Sequence, residues 1–128
     1  MSLAKSTVAM MLPVTDTDRA RKFYSDMLGL DYTGTNEEGS AMYALPGGAT
    51  LVLLPRPDST PSGSTAMSFE VTDVVQEVRE LEQRGVGFED YDLPDLKTVD
   101  HVCVLGSDKA AWFKDQDGNV LCVHETVQ

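Results

Sequence analysis

Apolar residues alternate with a period of two from Val8 to Val14, where Val8, Met10, Leu12 and Val14 form one set and Ala9, Met11 and Pro13 the other. Two unlike faces at that period predict a strand with one face under a helix. The period then changes. Ala20, Phe23, Tyr24, Met27 and Leu28 fall at i, i+3, i+4, i+7 and i+8, the stripe of an amphipathic helix. Asp16 stands as its N-cap and Gly29 as its left-handed stop. Strands are then predicted over 30–35, 41–45 and 50–54, with turns at Asn36-Glu37-Glu38-Gly39 and Pro46-Gly47-Gly48.

The pattern repeats. Val14-Thr15-Asp16 closes a strand and opens a helix, and Val71-Thr72-Asp73 does the same near mid-chain. From Thr65 to Val71, Met67, Phe69 and Val71 alternate with Ala66, Ser68 and Glu70. Asp73 with Gln76 forms a capping-box arrangement, Val74, Val78 and Leu81 line one helix face, and Gly85 follows. The charged residues between them read as a solvated face. Strands are predicted over 86–91, 110–115 and 119–125, with a turn at Asp117-Gly118-Asn119. The Pro-, Ser- and Gly-rich stretch 55–63 reads as a linker. An insertion between Asp92 and Ser107 holds a further short strand, His101 to Leu105. The expected organisation is one α+β domain of two tandem βαβββ modules, about 6–54 and 64–125. Each helix covers one sheet face. The remaining faces are expected to curl into a mixed-sheet cup around a ligand.

Composition narrows the partners. The 128 residues carry 10 Lys+Arg against 21 Asp+Glu, a net charge of −11. That length suits one domain. Nucleic acid and anionic membrane surfaces are excluded as partners, because both require a basic face. No apolar run is long enough to span a membrane as a helix. The first residues read as a strand, not a signal peptide, so a cytoplasmic setting is expected, with Cys103 and Cys122 as thiols instead of a disulfide.

Several motifs carry a family resemblance. Asp16, Arg19-Ala20-Arg21-Lys22-Phe23-Tyr24 and Leu28-Gly29 resemble the first strand–helix unit of the vicinal oxygen chelate superfamily. That superfamily holds glyoxalases, bleomycin-resistance proteins and extradiol dioxygenases. Asp115-Gln116-Asp117-Gly118-Asn119 is similar to its C-terminal Asp-Pro-Asp-Gly-Asn turn, with Gln116 in place of Pro. Ala110-Ala111-Trp112-Phe113-Lys114 resembles a small glyoxalase-like branch. The resemblance implies a glyoxalase/bleomycin-resistance/dihydroxybiphenyl-dioxygenase-like fold and frequent pairing into homodimers.

It also implies positions for a divalent metal, held by His, Gln or Glu on cup-facing strands. Those positions fall on Ala9 and Ala66, each seven residues before a helix-opening Asp. A third falls on Cys122, and the fourth on Leu51 or Leu53. Methyl and isobutyl groups donate no lone pair. The expectation is therefore loss of the usual metal site and no cofactor.

Strand alternation from those positions fills the cup with Ala9, Met11 and Pro13, with Ala66, Ser68 and Glu70, and with Val120, Cys122 and His124. Trp112 and Lys114 join them if Phe113 packs under the helix, and Tyr43 and Leu53 are further candidates. The candidate ligand-binding set is Ala9, Met11, Tyr43, Leu53, Ala66, Ser68, Trp112, Cys122 and His124. Each has a plainer reading: Trp112 as core, His124 as a hydrogen-bonded surface residue, Cys122 as a small buried hydrophobe, Glu70 and Lys114 as rim charges.

Two readings of function follow. The favoured one is a metal-free protein that binds a small organic molecule and is not an enzyme. The alternative is a lyase, isomerase or dioxygenase. It would use an unorthodox metal site of Cys122 and His124 with His101, or a four-ligand zinc set that adds Cys103, or metal-free acid/base work by His124, Glu70 or Lys114. The acids Glu89, Asp90, Asp92 and Asp95 read as solvated surface in preference to a lid. No exposed apolar stripe is predicted that would support a purely protein-binding role.

Overall fold

The computed structural model describes residues 3–126. Its contacts divide the chain into two compact units, Met1–Thr60 and Pro61–Gln128.

In the first unit, β1 (Ala9–Val14) leads into a short α-helix, α1 (Thr17–Arg21), and then β2 (Asp31–Thr35), β3 (Ala41–Ala44) and β4 (Thr50–Pro55). The sheet order is β1-β4-β3-β2, with β1 and β4 parallel. The Asp16 carboxylate accepts from the backbone N–H groups of Asp18 (2.9 Å) and Arg19 (3.2 Å), which satisfies donors that the first helical turn leaves free. The predicted helix does not stay α to its end. Lys22–Met27 widens into a π turn, and the Leu28 N–H reaches the Phe23 carbonyl, five residues back, at 3.0 Å. Adjacent Phe23 and Tyr24 are both buried along this wider turn. Gly29, at φ 74°, ends it.

In the second unit, β5 (Thr65–Glu70) is followed by α2 (Val74–Gln83), then β6 (Asp92–Leu93), β7 (Leu96–Val99), β8 (Val102–Leu105), β9 (Asp108–Lys114) and β10 (Val120–Glu125). The order is β5-β10-β9-β8-β7-β6, with β5 and β10 parallel. The capping box is only half formed. Asp73 accepts from the Gln76 N–H at 3.1 Å, but the Gln76 side chain donates to Glu80. The first helical N–H, of Val74, is instead capped by the Glu125 carboxylate of β10 at 2.9 Å. Val74, Val78 and Leu81 are buried as their spacing requires.

Two expectations need correction here. The strand expected over 86–91 is reduced to one bridge, Phe88 to Phe113, and a hydrogen bond from the Glu89 N–H to the Trp112 carbonyl. That segment lies beside the Trp112–Phe113 end of β9, while the insertion, a meander of β6, β7 and β8, pairs with Asp108 to Ala110 and extends the sheet. The meander turns at Asp100 and His101, both left-handed at φ 50° and 73°. The second correction concerns exposed apolar surface. Leu93, Val99, Val104 and Leu105 of this meander are all at least half exposed.

Both units use one loop design. In the first, the Asn36 side chain accepts from the Glu38 and Ser40 N–H groups, both at 3.0 Å. In the second, the Asp115 carboxylate accepts from the Asp117 and Asn119 N–H groups, both at 2.9 Å, and from the Asn119 side-chain amide. A left-handed Gly completes each turn, Gly39 at φ 86° and Gly118 at φ 90°.

Candidate functional site

Strand pairing decides which residues share a face. In the first sheet Leu12 lies opposite Leu53, Met10 opposite Leu51, and Tyr43 opposite Leu51. Leu12, Leu51, Leu53 and Tyr43 are buried, and α1 packs on β4. This is the helix-covered face. Ala9, Met11 and Pro13 point the other way, all exposed, and are paired with Thr50, Val52 and Leu54.

Leu53 and Tyr43 therefore do not stand with Ala9 and Met11. The Tyr43 hydroxyl reaches the Ser25 hydroxyl of the π turn at 2.7 Å, and burial pushes its phenol up from its ordinary value despite that bond. The run Leu51 to Leu54 is apolar on both sides, so alternation carried no parity signal. Only the pairing of Leu12 with Leu53 supplies it. Thr50, Val52 and Leu54, with Met42 opposite Val52 and Asp31 at the end of the Thr50 row, are the residues that sequence reasoning missed on this face.

In the second sheet the predicted set comes together. Cys122 pairs with Ser68 on one side and Trp112 on the other, so the three form one row across the face. His124 pairs with Glu70 and Ala110 in the next row, and Val120 pairs with Lys114 in the row before. Phe113, opposite Leu121, is buried on the α2 side. Ala66 does not follow simple alternation. The register shifts from Val120 opposite Thr65 to Leu121 opposite Met67, which leaves Ala66 as the extra residue of a β-bulge, exposed to solvent.

Polar contacts on this face converge on His124. Its Nδ1 is 2.6 Å from the Ser68 hydroxyl, and its Nε2 is 3.9 Å from a Glu70 carboxylate oxygen. Cys122 is buried, and its thiol is pushed up from the ordinary value, chiefly by burial and against the Ser68 and Ala111 hydrogen bonds that oppose the shift. It remains a thiol, a poor nucleophile and metal ligand. Lys114 is paired with Glu89 at 3.2 Å. Trp112 is half-buried, with the Tyr91 ring edge-on to it at 5.7 Å between centroids. Tyr91 went unnoticed in the sequence because nothing in the acidic 89–95 stretch marks it as a wall.

His101 does not join Cys122 and His124. Its ring is held between Glu82 of α2 at 3.3 Å and Asp90 at 3.0 Å. No group of three or more His, Cys, Asp or Glu among the described residues could hold a metal ion. Both cysteines are free. Ala9, Ala66, Cys122 and the face-sharing Thr50 and Val52 lack the charged or imidazole donors a divalent ion needs. The residues present do not fit the family's metal. No helix among the described residues is long and apolar enough to cross a membrane.

A family model described as the Glyoxalase/Bleomycin resistance protein/Dioxygenase superfamily matches residues 7–123. Among solved structures, TnmS3, an antibiotic binding protein from Streptomyces sp. CB03234, is 26% identical. The match covers 98% of this chain and 100% of that one, with TM-score 0.70. A glyoxalase/bleomycin resistance protein from the same organism is also 26% identical, over 92% of this chain and 98% of that one, with TM-score 0.64. A glyoxalase family protein from Bacillus anthracis is 18% identical, over 95% and 93%, with TM-score 0.71. No curated protein matches the chain.

Proposed function

For a chain that belongs to the glyoxalase/bleomycin resistance protein/dioxygenase superfamily, we propose a metal-independent binding role directed at a small, partly aromatic organic molecule. The observation that carries this reading is the second sheet's face. Trp112, Cys122, Ser68 and His124 lie there in adjacent rows, while the family's ligand positions hold alanine and a protonated thiol. An aromatic wall with a few convergent polar groups is the chemistry of an organic-ligand site. The likeness to an antibiotic binding protein supports the same class of ligand. Ala9 and Met11 offer a second, apolar surface on the first sheet. The proposal includes a cytoplasmic setting and a homodimer, the latter supported by the exposed Val99, Val104 and Leu105.

The test is a thermal-shift and calorimetric screen against aromatic antibiotics, after dialysis and elemental analysis. A ligand at about one hundred times its Kd stabilises the fold by about 2.7 kcal/mol. Stoichiometric divalent metal surviving dialysis would sink the metal-independent reading.

One observation favours a second reading. Ser68 and Glu70 flank both nitrogens of His124, an arrangement able to move a proton without a metal. Turnover assays with methylglyoxal hemithioacetal and with catechol separate the two. The binding role predicts no turnover of either.

A further inference from the structure

A series of contacts runs from helix α2 to the aromatic wall of the second sheet. It starts at the His101 ring, which lies between two carboxylates. Glu82 Oε2 of α2 is 3.3 Å from Nε2, and Asp90 Oδ2 is 3.0 Å from Nδ1. The Phe88 ring stands beside the imidazole at 6.1 Å between centroids. The other Asp90 oxygen, Oδ1, accepts from the Thr98 hydroxyl at 3.1 Å. That hydroxyl accepts from the Tyr91 N–H at 2.9 Å, and the Thr98 N–H donates to the Tyr91 carbonyl at 2.8 Å. Tyr91 in turn sets its ring edge-on to Trp112.

Local backbone preference does not explain His101. With Asp100 it forms the two-residue turn between β7 and β8, both residues left-handed. Such turns favour Asn-Gly, which takes positive φ with the least strain. A histidine there is explained by what its side chain touches. Packing does not substitute for those contacts. A cavity of about 400 Å³, lined by Val75 and Val78 of α2 and by Val99 and Val102 of the hairpin, opens between the two elements. The Glu82–His101 pair spans it. Thr98 shares a row with Cys103, Ala110 and His124 across four strands, so the series ends on the face proposed to bind the ligand.

We infer that His101 is a positioning residue for that face: it clips the 89–101 segment to α2 and so holds Tyr91 against Trp112. The inference rests on the small-molecule binding role, in which Tyr91 and Trp112 form the aromatic wall. Released from the clip, the segment carries Tyr91 away and leaves the indole more open to solvent.

Trp112 is the single tryptophan of the chain. Acrylamide quenching of its fluorescence in the full chain therefore reads the position of Tyr91 without any ligand. Tyr91→Ala should raise the quenching constant and sets the scale. His101→Phe keeps an aromatic ring beside Phe88 but offers neither carboxylate a partner, and should reproduce at least half of that rise. Glu82→Ala, at a side chain already 43% exposed, should give a smaller rise. Asp95→Ala removes an exposed acid of the same segment outside the clip and should change nothing. A merely structural role would lower the urea midpoint and leave native-state quenching where it was. If His101→Phe fails to fold by circular dichroism, Glu82→Ala decides. Unchanged quenching in the clip variants, beside a rise in Tyr91→Ala, overturns the inference and leaves the binding role standing. No rise in Tyr91→Ala, or an equal rise in Asp95→Ala, overturns it as well. The expected quenching pattern in a chain that binds nothing in the ligand screen counts against the binding role alone.

Discussion

The two units share a design and divide the chemistry. Each lays a helix on one face of a mixed sheet, pairs its first and last strands in parallel, and closes one turn with an Asx loop and a left-handed glycine. Their other faces differ sharply. The first sheet presents Ala9, Met11, Pro13, Thr50, Val52 and Leu54, and its one row of Ala9, Thr50 and Ala44 ends on Asp31. The second presents Ser68, Glu70, Cys122, His124, Trp112 and Lys114. A repeated scaffold fixes which positions face outward but not what occupies them. Function resides in the occupants.

The largest effect should come from the covered face. Leu53→Ala removes a fully buried side chain in the first unit and should cost about 3 kcal/mol in urea unfolding. Val52→Ala, one residue back and facing the other way, should cost about 1 kcal/mol or less. Equal costs would break the assignment of the two faces.

Next come the matched loops. Asp115→Ala strips acceptors from two backbone N–H groups and one amide in a buried turn, and should cost about 2–3 kcal/mol. Asn36→Ala, in the exposed counterpart of the first unit, should cost about 1 kcal/mol. The same denaturation series measures both, and a reversed order would mean that burial does not set the worth of this loop.

The helix caps sharpen the comparison further. Asp16→Ala frees two N–H groups and Asp73→Ala one, each costing about 1 kcal/mol, with Asp16 the larger. Helix α2 keeps its Glu125 cap, so a double change of Asp73 and Glu125 should exceed either alone.

The smallest effect is a pH dependence. Burial holds the Cys122 thiol above its ordinary value of 9.0 and the Tyr43 phenol above its ordinary 10.0. Each folded group keeps a proton that the unfolded chain releases. Their contribution is intact below the ordinary values and is lost as pH rises through the higher folded ones. Urea midpoints between about pH 8 and 11 should therefore fall. Cys122→Ala should delay the onset of that fall, and Tyr43→Phe should soften its upper part. A midpoint flat across this range would show that neither thiol nor phenol is shielded.

Much of this was legible in the chain. Two periods, two helix-opening aspartates and a repeated Val-Thr-Asp identify both units. Ser68, Trp112, Cys122 and His124 could be placed on one face because polar and apolar residues alternate along their strands. Leu53 and Tyr43 could not be placed, since Leu51 to Leu54 is apolar on both sides. The β-bulge at Ala66 left no trace either, because an extra residue changes pairing, not composition.

Alone, the sequence determined the periodicities, the caps, the left-handed glycines and the lack of hard ligands at the family's metal positions. These depend on residue type and on spacing along one segment. Tertiary structure alone decided parity on β4, the pairing of β8 with Asp108 to Ala110 of β9, and the meeting of His124 with Ser68 and Glu70. Those facts depend on register between strands distant in the chain. Register is set by whole-sheet pairing against a packed helix, which no local window contains.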